Sequence, residues 1–371
     1  MSPAPARTPY LRLDRPRVVR NIRWLRDHLA SLGVPLRPHL KTAKSVEVAR
    51  LLFDGGSGPI TVSTLAEAEA FAAAGFTEIL YAVGIAPAKL PDVVAMHRRG
   101  IDLVVLLDSV AQAEAVAAAS VESGVRIPAL IEINCDNHRG GVEPESAELV
   151  AIGRALTGVS GEVRGVLTHA GESYFCYSEA ELVKAAENER AVAVRAAETL
   201  RGKGFEVPVV SVGSTPTAHF ARDLTGVTEV RAGNFVFFDL VMAGIGVCGT
   251  DDLALSVVTT VIGHRPDRGW ILTDAGWMAT SRDRGTARQA VDQGYGLVCT
   301  EDGEVIPDLL MTDASQEHGI LSLREGSPRQ LPSLPVGTRL RILPNHACAT
   351  AAQHASYQVS TGETWPRITG W

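Results

Sequence analysis

Short apolar runs alternate with alanine-rich stretches through the first two thirds of this chain, and this alternation restricts the fold more than any other feature. Segments such as TLAEAEAFAAAGF carry helix formers, with a Ser or Thr near the first turn and a Gly after the last. Eight strand–helix units in series predict a (β/α)8 barrel, with a doubly wound open sheet as the alternative. The predicted strands are residues 36–41, 59–64, 78–83, 102–108, 128–134, 163–170, 208–214 and 229–238.

The pattern changes after residue 242. Strand-like runs with glycine-containing turns replace the strand–helix units and predict an all-β domain. We therefore expect a barrel over residues 16–242 and a β domain over residues 243–371. The run YLRLD at residues 10–14 makes residues 1–15 a candidate addition to the β domain. The C-terminal strand candidates are ALSVVTTVIGHR, GWILTDAG, GLVCTEDGEVI, HGILSLREG and TRLRILPNHA.

Composition narrows the class of function. A chain of 371 residues suits a large barrel with a smaller domain, and a net charge of −7 argues against a nucleic-acid partner. The five cysteines contain no CxxC pair, which favours a reducing compartment. There is no signal-like start and no apolar run of membrane-spanning length. These features predict a cytoplasmic protein with a small-molecule ligand and no membrane partner.

The first predicted strand ends in a candidate cofactor lysine. Barrel enzymes place their active sites where the strands end. Side-chain alternation along this strand puts Arg37, His39 and Lys41 on one side. A lysine inside the mouth of a barrel is costly unless it is paired or chemically used. Lys41 is thus a candidate for covalent cofactor attachment, and a salt-bridged or solvated lysine is the alternative.

The ends of the later strands add candidates. His169 lies at the end of the sixth strand, where it could stack on a heterocycle, transfer a proton or be a hydrogen-bonded core histidine. Arg139 follows the fifth strand in a Gly-rich loop, as a partner for a phenolate or carboxylate or as a surface arginine. Residues 213–215 (Gly-Ser-Thr) lie at the end of the seventh strand, and 233–234 (Gly-Asn) lie near the start of the eighth. Loops after the seventh and eighth strands of a barrel often bind phosphate, so we predict a phosphate-bearing cofactor.

A second candidate site lies near the C-terminus. His346 and Cys348 are two residues apart, which on an extended segment makes them point the same way. An imidazole with a thiolate favours zinc or a similar transition metal. Two ligands leave positions for water or substrate, as in a catalytic metal site; a buried Cys beside a capped His is the alternative. Candidates for supporting these ligands are Ser315, Gln316, Glu317 and His318. The polar, glycine-containing segments 274–279 and 281–285 are typical of loops that face a site, but their composition assigns them no role.

Six motifs in this order resemble one family: RPHLKTAKS, THAGESY, SVGSTPT, VRAGNFVFFD, DAGWMA and PNHACAT. They resemble the D-serine dehydratase/D-threonine aldolase family of fold-type III pyridoxal-phosphate enzymes, which are related to the alanine racemase N-terminal domain. The resemblance runs over residues 8–371. It implies the same barrel with an appended β domain, pyridoxal 5'-phosphate as cofactor, and a homodimer.

The resemblance also implies roles for single residues. Lys41 resembles the Schiff-base lysine and base, and His169 the histidine that stacks on the cofactor ring. Tyr174 resembles a neighbour of the cofactor, and Arg139 the arginine near its phenolic oxygen. His346 and Cys348 resemble ligands of a divalent metal, which could be Zn, Mn, Mg or Co. The phosphate-binding residues by resemblance are Gly213, Ser214, Thr215, Gly233 and Asn234.

The implied reaction is that of an ammonia-lyase that dehydrates a D-3-hydroxy amino acid. D-threo-3-hydroxyaspartate would give oxaloacetate and ammonia, and D-serine would give pyruvate and ammonia. The His-x-Cys pair at 346–348 resembles the dehydratases, whereas His-x-Asp occurs in aldolases. A D-threonine aldolase is the main alternative, followed by a racemase and a non-catalytic cofactor carrier. Arg282 and Arg284 are candidates for contacting a second substrate carboxylate.

Overall fold

The structure, a computed structural model, describes residues 7–158 and 160–371. These residues form two compact units. The barrel unit comprises Ile22–Phe235 and Ile368–Trp371, and the β unit comprises the described residues up to Asn21 together with Val236–Arg367.

Seventeen strands occur in the described residues. In chain order they are β1 Tyr10–Leu13, β2 Leu36–Pro38, β3 Ile60–Val62, β4 Glu78–Gly84, β5 Asp102–Leu107, β6 Pro128–Ile133, β7 Glu162–Thr168, β8 Val209–Val212, β9 Glu229–Ala232, β10 Leu255–Arg265, β11 Trp270–Thr273, β12 Leu297–Thr300, β13 Val305–Ala314, β14 Gly319–Leu323, β15 Arg339–Leu343, β16 Ser356–Val359 and β17 Thr364–Pro366.

The helices begin where the capping pattern predicts. Five of them start after a Ser or Thr whose side-chain oxygen accepts a hydrogen bond from a first-turn N–H, at Thr64, Ser109, Ser146, Ser178 and Ser214. The α-helices are α1 Arg15–Ser31, α2 Val46–Leu52, α3 Leu65–Ala73, α4 Leu90–Arg98, α5 Val110–Ser123, α6 Ala147–Thr157, α7 Glu179–Arg201, α8 Thr215–Phe220, α9 Leu240–Gly244, α10 Trp277–Thr280 and α11 Ala347–Ala351.

Strands β2 to β9 form the predicted barrel. They are all parallel, in the order β2-β9-β8-β7-β6-β5-β4-β3. A single parallel bridge between His39 and Thr61 joins the two outer strands, so the sheet curls round and nearly closes. The (β/α)8 prediction is confirmed and the open-sheet alternative is wrong. One cluster of its buried residues contains Leu80, Val104, Leu106, Leu130 and Leu167.

The remaining strands form the predicted β domain as one nine-stranded sheet, in the order β11-β14-β13-β12-β15-β10-β1-β16-β17. Strand β1 lies between β10, to which it is antiparallel, and β16, to which it is parallel. Most of the other pairings are antiparallel hairpins, as the short strands and glycine-containing turns require.

Most of the barrel strands are shorter than the sequence suggested, and two of these differences affect the candidate site. The first ends at Pro38 instead of residue 41, and the eighth ends at Ala232 instead of residue 238. Gly233 explains the second case, because its backbone passes so close to His39 that an added Cβ would lie 2.6 Å from the His39 carbonyl oxygen. The chain then forms a short 3-10 turn at Asn234–Val236. Both ends place polar residues in turns beyond the sheet.

Candidate functional site

Lys41 lies in the turn that follows β2, so the alternation argument that put it on the strand is wrong. The His39 and Leu40 N–H groups still pair with Ala232 and Thr61, each at 2.8 Å. The Lys44 N–H then donates to the Leu40 carbonyl at 2.7 Å and closes a tight turn. Leu40 is buried beneath this turn, whereas Lys41 is solvent-exposed. The turn therefore presents the lysine at the C-terminal end of the barrel.

A buried ion pair holds this turn in place. The Lys44 ammonium lies 2.9 Å from the Glu67 carboxylate, which has no exposed surface. Glu67 also accepts hydrogen bonds from the backbone N–H of Ser63 and the hydroxyl of Thr64, each at 3.2 Å. Lys44 has a φ of 45°, a conformation that costs energy for a residue other than glycine. The pair thus fixes the backbone three residues after Lys41.

Two neutral histidines lie near Lys41. Burial, followed by the positive charges of Lys41 and Arg231, holds the pKa of His39 well below its usual range. Burial and the charge of Lys41 lower the pKa of His169 to about 3, although its hydrogen bond to Gly213 opposes the shift. The His169 Nδ1–H donates to the Gly213 carbonyl at 3.0 Å. Its other ring nitrogen therefore carries no proton at neutral pH.

Arg231, which the motif analysis did not select, is a buried part of this site. Its Nε donates to the Ser211 hydroxyl at 2.8 Å and its Nη2 to the Thr168 carbonyl. Burial lowers its pKa, while the charges of Glu189 and Glu229 raise it. Nothing in the local sequence marks this arginine, because an Arg inside a short strand is equally compatible with the protein surface.

Arg139 and Tyr174 lie near the same histidines. The Arg139 guanidinium is 3.3 Å from Glu132 and is 59% exposed, and its charge contributes to the lowered pKa of both His39 and His169. The Tyr174 ring centroid is 6.4 Å from that of His169. The turn after β2 and the residues after β6 and β7 thus bring together the predicted residues Lys41, Arg139, His169 and Tyr174.

The loop after β8 has the features expected of a phosphate site. The Ser214 oxygen accepts from the Thr217 N–H at 3.2 Å, and the Ser214 N–H donates to the Thr217 hydroxyl at 3.0 Å. Thr215 is buried, and its hydroxyl oxygen has no hydrogen-bond partner among the described residues. A buried hydroxyl of this kind calls for a ligand group. Gly213 has a φ of 139°, and any Cβ there would collide with the Arg231 backbone.

The predicted metal ligands lie in the β unit, but their local geometry differs from the prediction. His346 is the N-cap residue of α11 and Cys348 lies in the first helical turn, so the segment is not extended. The two side chains nevertheless hydrogen-bond to each other. The His346 Nδ1 lies 2.7 Å from the Asp283 carboxylate. Burial disfavours protonation, yet Cys348 and Asp283 together raise the pKa of His346 to about 11.

Asp283 is the carboxylate that supports His346, and the sequence placed it only in a loop expected to face a site. The four residues suggested for this task, 315–318, instead connect β13 and β14. The Ser315 and Gln316 carbonyls accept hydrogen bonds from Trp277 and Met278. In the described parts of the chain, His346 forms a hydrogen bond and an ion pair with Asp283 and none with these four residues.

The two arginines suggested as contacts for a substrate carboxylate differ in their surroundings. Arg284 forms a 2.7 Å ion pair with Asp292 and lies over the Tyr295 ring. Arg282 is exposed and its guanidinium lies 5.2 Å from the centroid of the Trp277 ring. Arg282 is therefore the better candidate of the two.

The donor set at His346 and Cys348 fits a metal with open coordination positions. Within residues 7–158 and 160–371, no group of three or more His, Cys, Asp or Glu side chains is arranged to hold a metal. Asp283 occupies His346 Nδ1, which leaves Nε2 as the nitrogen able to bind a metal next to the Cys348 sulfur. Two protein ligands suit a catalytic metal better than a structural one.

Membrane insertion by a helix finds no support: among the described residues, every helix is too short or too polar to cross a bilayer.

Comparison with known proteins matches both units. Residues 13–241 match the family model "Alanine racemase, N-terminal domain", and residues 254–360 match the model "Putative serine dehydratase domain". The chain is 53% identical to D-threo-3-hydroxyaspartate dehydratase of Delftia sp. (strain HT23), over 98% of each chain. It is 30% identical to D-serine dehydratase of Dictyostelium discoideum, over 90% of this chain and 88% of the relative.

A solved structure agrees closely with the fold. It is a cysteine-to-alanine mutant of D-threo-3-hydroxyaspartate dehydratase in the metal-free form. The two chains superpose with a TM-score of 0.95 at 52% identity, covering 99% of this chain and 98% of that chain.

Proposed function

Because this chain belongs to the family that contains D-threo-3-hydroxyaspartate dehydratase and D-serine dehydratase, we propose that it is a pyridoxal-phosphate-dependent ammonia-lyase acting on D-3-hydroxy amino acids. The preferred substrate is D-threo-3-hydroxyaspartate, which yields oxaloacetate and ammonia, and D-serine is the second candidate. The 53% identity along the whole length of both chains is the observation that carries this proposal.

The barrel residues fit the cofactor. Pyridoxal phosphate, when bound, withdraws electrons from the substrate Cα and so makes its proton acidic. Three cations, Lys41, Arg139 and Arg231, lie near His39 and His169 and give the site a positive field. Such a field suits an anionic cofactor. The unpartnered Thr215 hydroxyl supplies a hydrogen-bonding group for the phosphate.

Each barrel residue then has a distinct task. Lys41 would hold the cofactor through Nζ, and its free amine would be the base for the Cα proton. His169 stays neutral and offers a flat ring surface, since its Nδ1–H is engaged by Gly213. Arg139 and Tyr174 would contact the ring of the cofactor. The residues that would hold its phosphate are Gly213, Ser214, Thr215, Gly233 and Asn234.

The β unit contains the candidate ligands of a divalent metal. His346 and Cys348 would hold a divalent metal, which supplies Lewis acidity toward the β-hydroxyl of the substrate. The Cys348 thiolate is a soft ligand and favours zinc over magnesium, with Mn and Co as alternatives. Asp283 fixes the His346 ring through Nδ1. Arg282 is the candidate contact for the second carboxylate of a hydroxyaspartate. From the family resemblance we also propose that the enzyme is a homodimer.

Product analysis tests this proposal. The purified protein with pyridoxal phosphate and zinc is incubated with D-threo-3-hydroxyaspartate, D-serine and D-threonine, and ammonia, 2-oxo acid and glycine are measured. We expect ammonia and oxaloacetate in equal amounts from the first substrate. Glycine from D-threonine without ammonia would instead identify an aldolase. Cys348→Ala should lose ammonia release, whereas Cys248→Ala, a half-buried cysteine outside the site, should retain it.

A further inference from the structure

Helix α7 carries one charged side chain on its buried face. Eight residues of this helix are buried, and seven of them are Leu, Val or Ala. The eighth is Glu189, whose side chain is almost completely buried at 1% exposure. A carboxylate in such a place is costly unless it is well hydrogen-bonded. Glu189 has no role in the proposed reaction.

Glu189 joins the ends of two neighbouring barrel strands. Its Oε1 accepts the Ala170 N–H at 2.8 Å and the Gly213 N–H at 3.0 Å. Its Oε2 accepts the Thr217 hydroxyl at 2.7 Å. Ala170 follows β7, and Gly213 follows β8. One carboxylate therefore sets the spacing between the two loops.

These loops carry the proposed cofactor residues. His169 directly precedes Ala170, and Ser214 and Thr215 directly follow Gly213. Ser173 adds a second link, because its hydroxyl donates to the Ala170 carbonyl at 2.6 Å and lies 2.9 Å from the Ser214 hydroxyl. The hydroxyl of Thr217 connects Glu189 to the Ser214 N–H. Displacement of Glu189 would thus loosen the loop that contains the Thr215 hydroxyl.

We propose that Glu189 is a positioning residue that locks the loops after β7 and β8 into a preformed phosphate cup. This inference rests on the proposed function only in taking pyridoxal phosphate as the ligand. The acceptor oxygens of Glu189 are the essential feature, because two backbone N–H groups depend on one of them. Glutamine retains one such oxygen, whereas methionine, which has a similar shape, retains none.

Comparing pyridoxal phosphate with pyridoxal, which lacks the phosphate, shows whether Glu189 positions the phosphate cup or only stabilises the fold. The apo-protein is titrated with pyridoxal phosphate and with pyridoxal, following the near-visible absorbance, and inorganic phosphate is used as a competitor. We expect Glu189→Met to weaken pyridoxal-phosphate binding by about 10- to 100-fold, from the loss of hydrogen bonds to a charged acceptor. Pyridoxal affinity should change far less. Glu189→Gln should recover most of the loss.

The controls separate the possible failures. Glu198→Met, on the exposed side of the same helix, should bind both compounds as the wild type does. If Glu189→Met does not fold, as judged by circular dichroism, Thr217→Val removes one of the donors to Glu189 and should show the same selective loss. An unchanged ratio of the two affinities in the folded variant, or Glu189→Gln equal to Glu189→Met, overturns the inference. Failure of the wild type to bind pyridoxal phosphate overturns the proposed function instead.

Discussion

The barrel and the β unit each contain a candidate histidine site, and the two sites have opposite electrostatic environments. In the barrel, burial and the charges of Lys41 and Arg231 lower the pKa of His39 and His169. In the β unit, Cys348 and Asp283 overcome the effect of burial and raise the pKa of His346. The same side chain is thus kept neutral by burial and nearby cations in one place, whereas nearby anions favour its cationic form in the other.

This difference indicates what each site binds. A cluster of cations around neutral rings is suited to an anionic, flat ligand such as pyridoxal phosphate. A thiol and a carboxylate on either side of an imidazole are suited to a cation, and a metal ion can replace the proton of the imidazolium. Under the proposed function, the barrel would hold the electron-withdrawing cofactor and the β unit would hold the Lewis acid.

The largest expected effect comes from removing the barrel lysine. Lys41→Ala should abolish the near-visible absorbance of the bound cofactor and lower turnover by about 10²- to 10⁴-fold or more, because the base is lost. Zinc binding by the β unit, measured by competition with a chromophoric chelator, should not change. Lys184→Ala, an exposed lysine on α7, is the control. Wild-type absorbance in Lys41→Ala would show that another residue holds the cofactor.

Removing the carboxylate that orients His346 should weaken zinc binding and leave cofactor binding unchanged. Asp283→Asn should lower zinc affinity by about 10- to 100-fold, because the carboxylate no longer orients His346. The cofactor absorbance should remain, since the barrel residues are untouched. Asp267→Asn, which breaks an exposed ion pair with Arg265, serves as the control. Zinc affinity equal to that of the wild type would remove Asp283 from the metal site.

The smallest expected effect is on the pH dependence of folding stability. The pKa of His169 is lowered to about 3 in the folded state. The unfolded chain therefore binds a proton at this residue near pH 6.5, whereas the folded chain does not. Folding stability should therefore fall as the pH drops from 6.5 towards 3, by about 1.4 kcal/mol per pH unit for such a histidine. His346 has the opposite sign: its contribution is present below pH 6.5 and is lost as the pH rises towards 11.

Urea unfolding of the apo-protein at pH 7.5 and pH 5.5 measures this effect. His169→Gln should lose about 1.4 kcal/mol less stability than the wild type between these pH values. His264→Gln, an exposed histidine of the β unit, should behave as the wild type does. Equal acid sensitivity of His169→Gln and the wild type would mean that this ring is protonated in the folded barrel.

The sequence predicted the features that depend on short stretches of chain. Alternating strand and helix patterns were sufficient for the barrel, and the Ser and Thr N-caps marked the helix starts. Short motifs with a family resemblance pointed to Lys41, His169 and the loops after β8 and β9. These residues lie at the ends of consecutive elements, so their positions follow from the order of those elements.

The tertiary structure alone decided which distant side chains meet. Asp283 contacts His346 across 63 residues, and Glu189 reaches Gly213 across 24 residues from the buried face of a helix. Such contacts depend on strand register, helix rotation and turn geometry together, and no local pattern encodes them. The position of Lys41 also depended on the tertiary structure. Side-chain alternation placed it on a strand, but it lies in a turn that the Lys44 backbone closes and the Lys44–Glu67 ion pair stabilises.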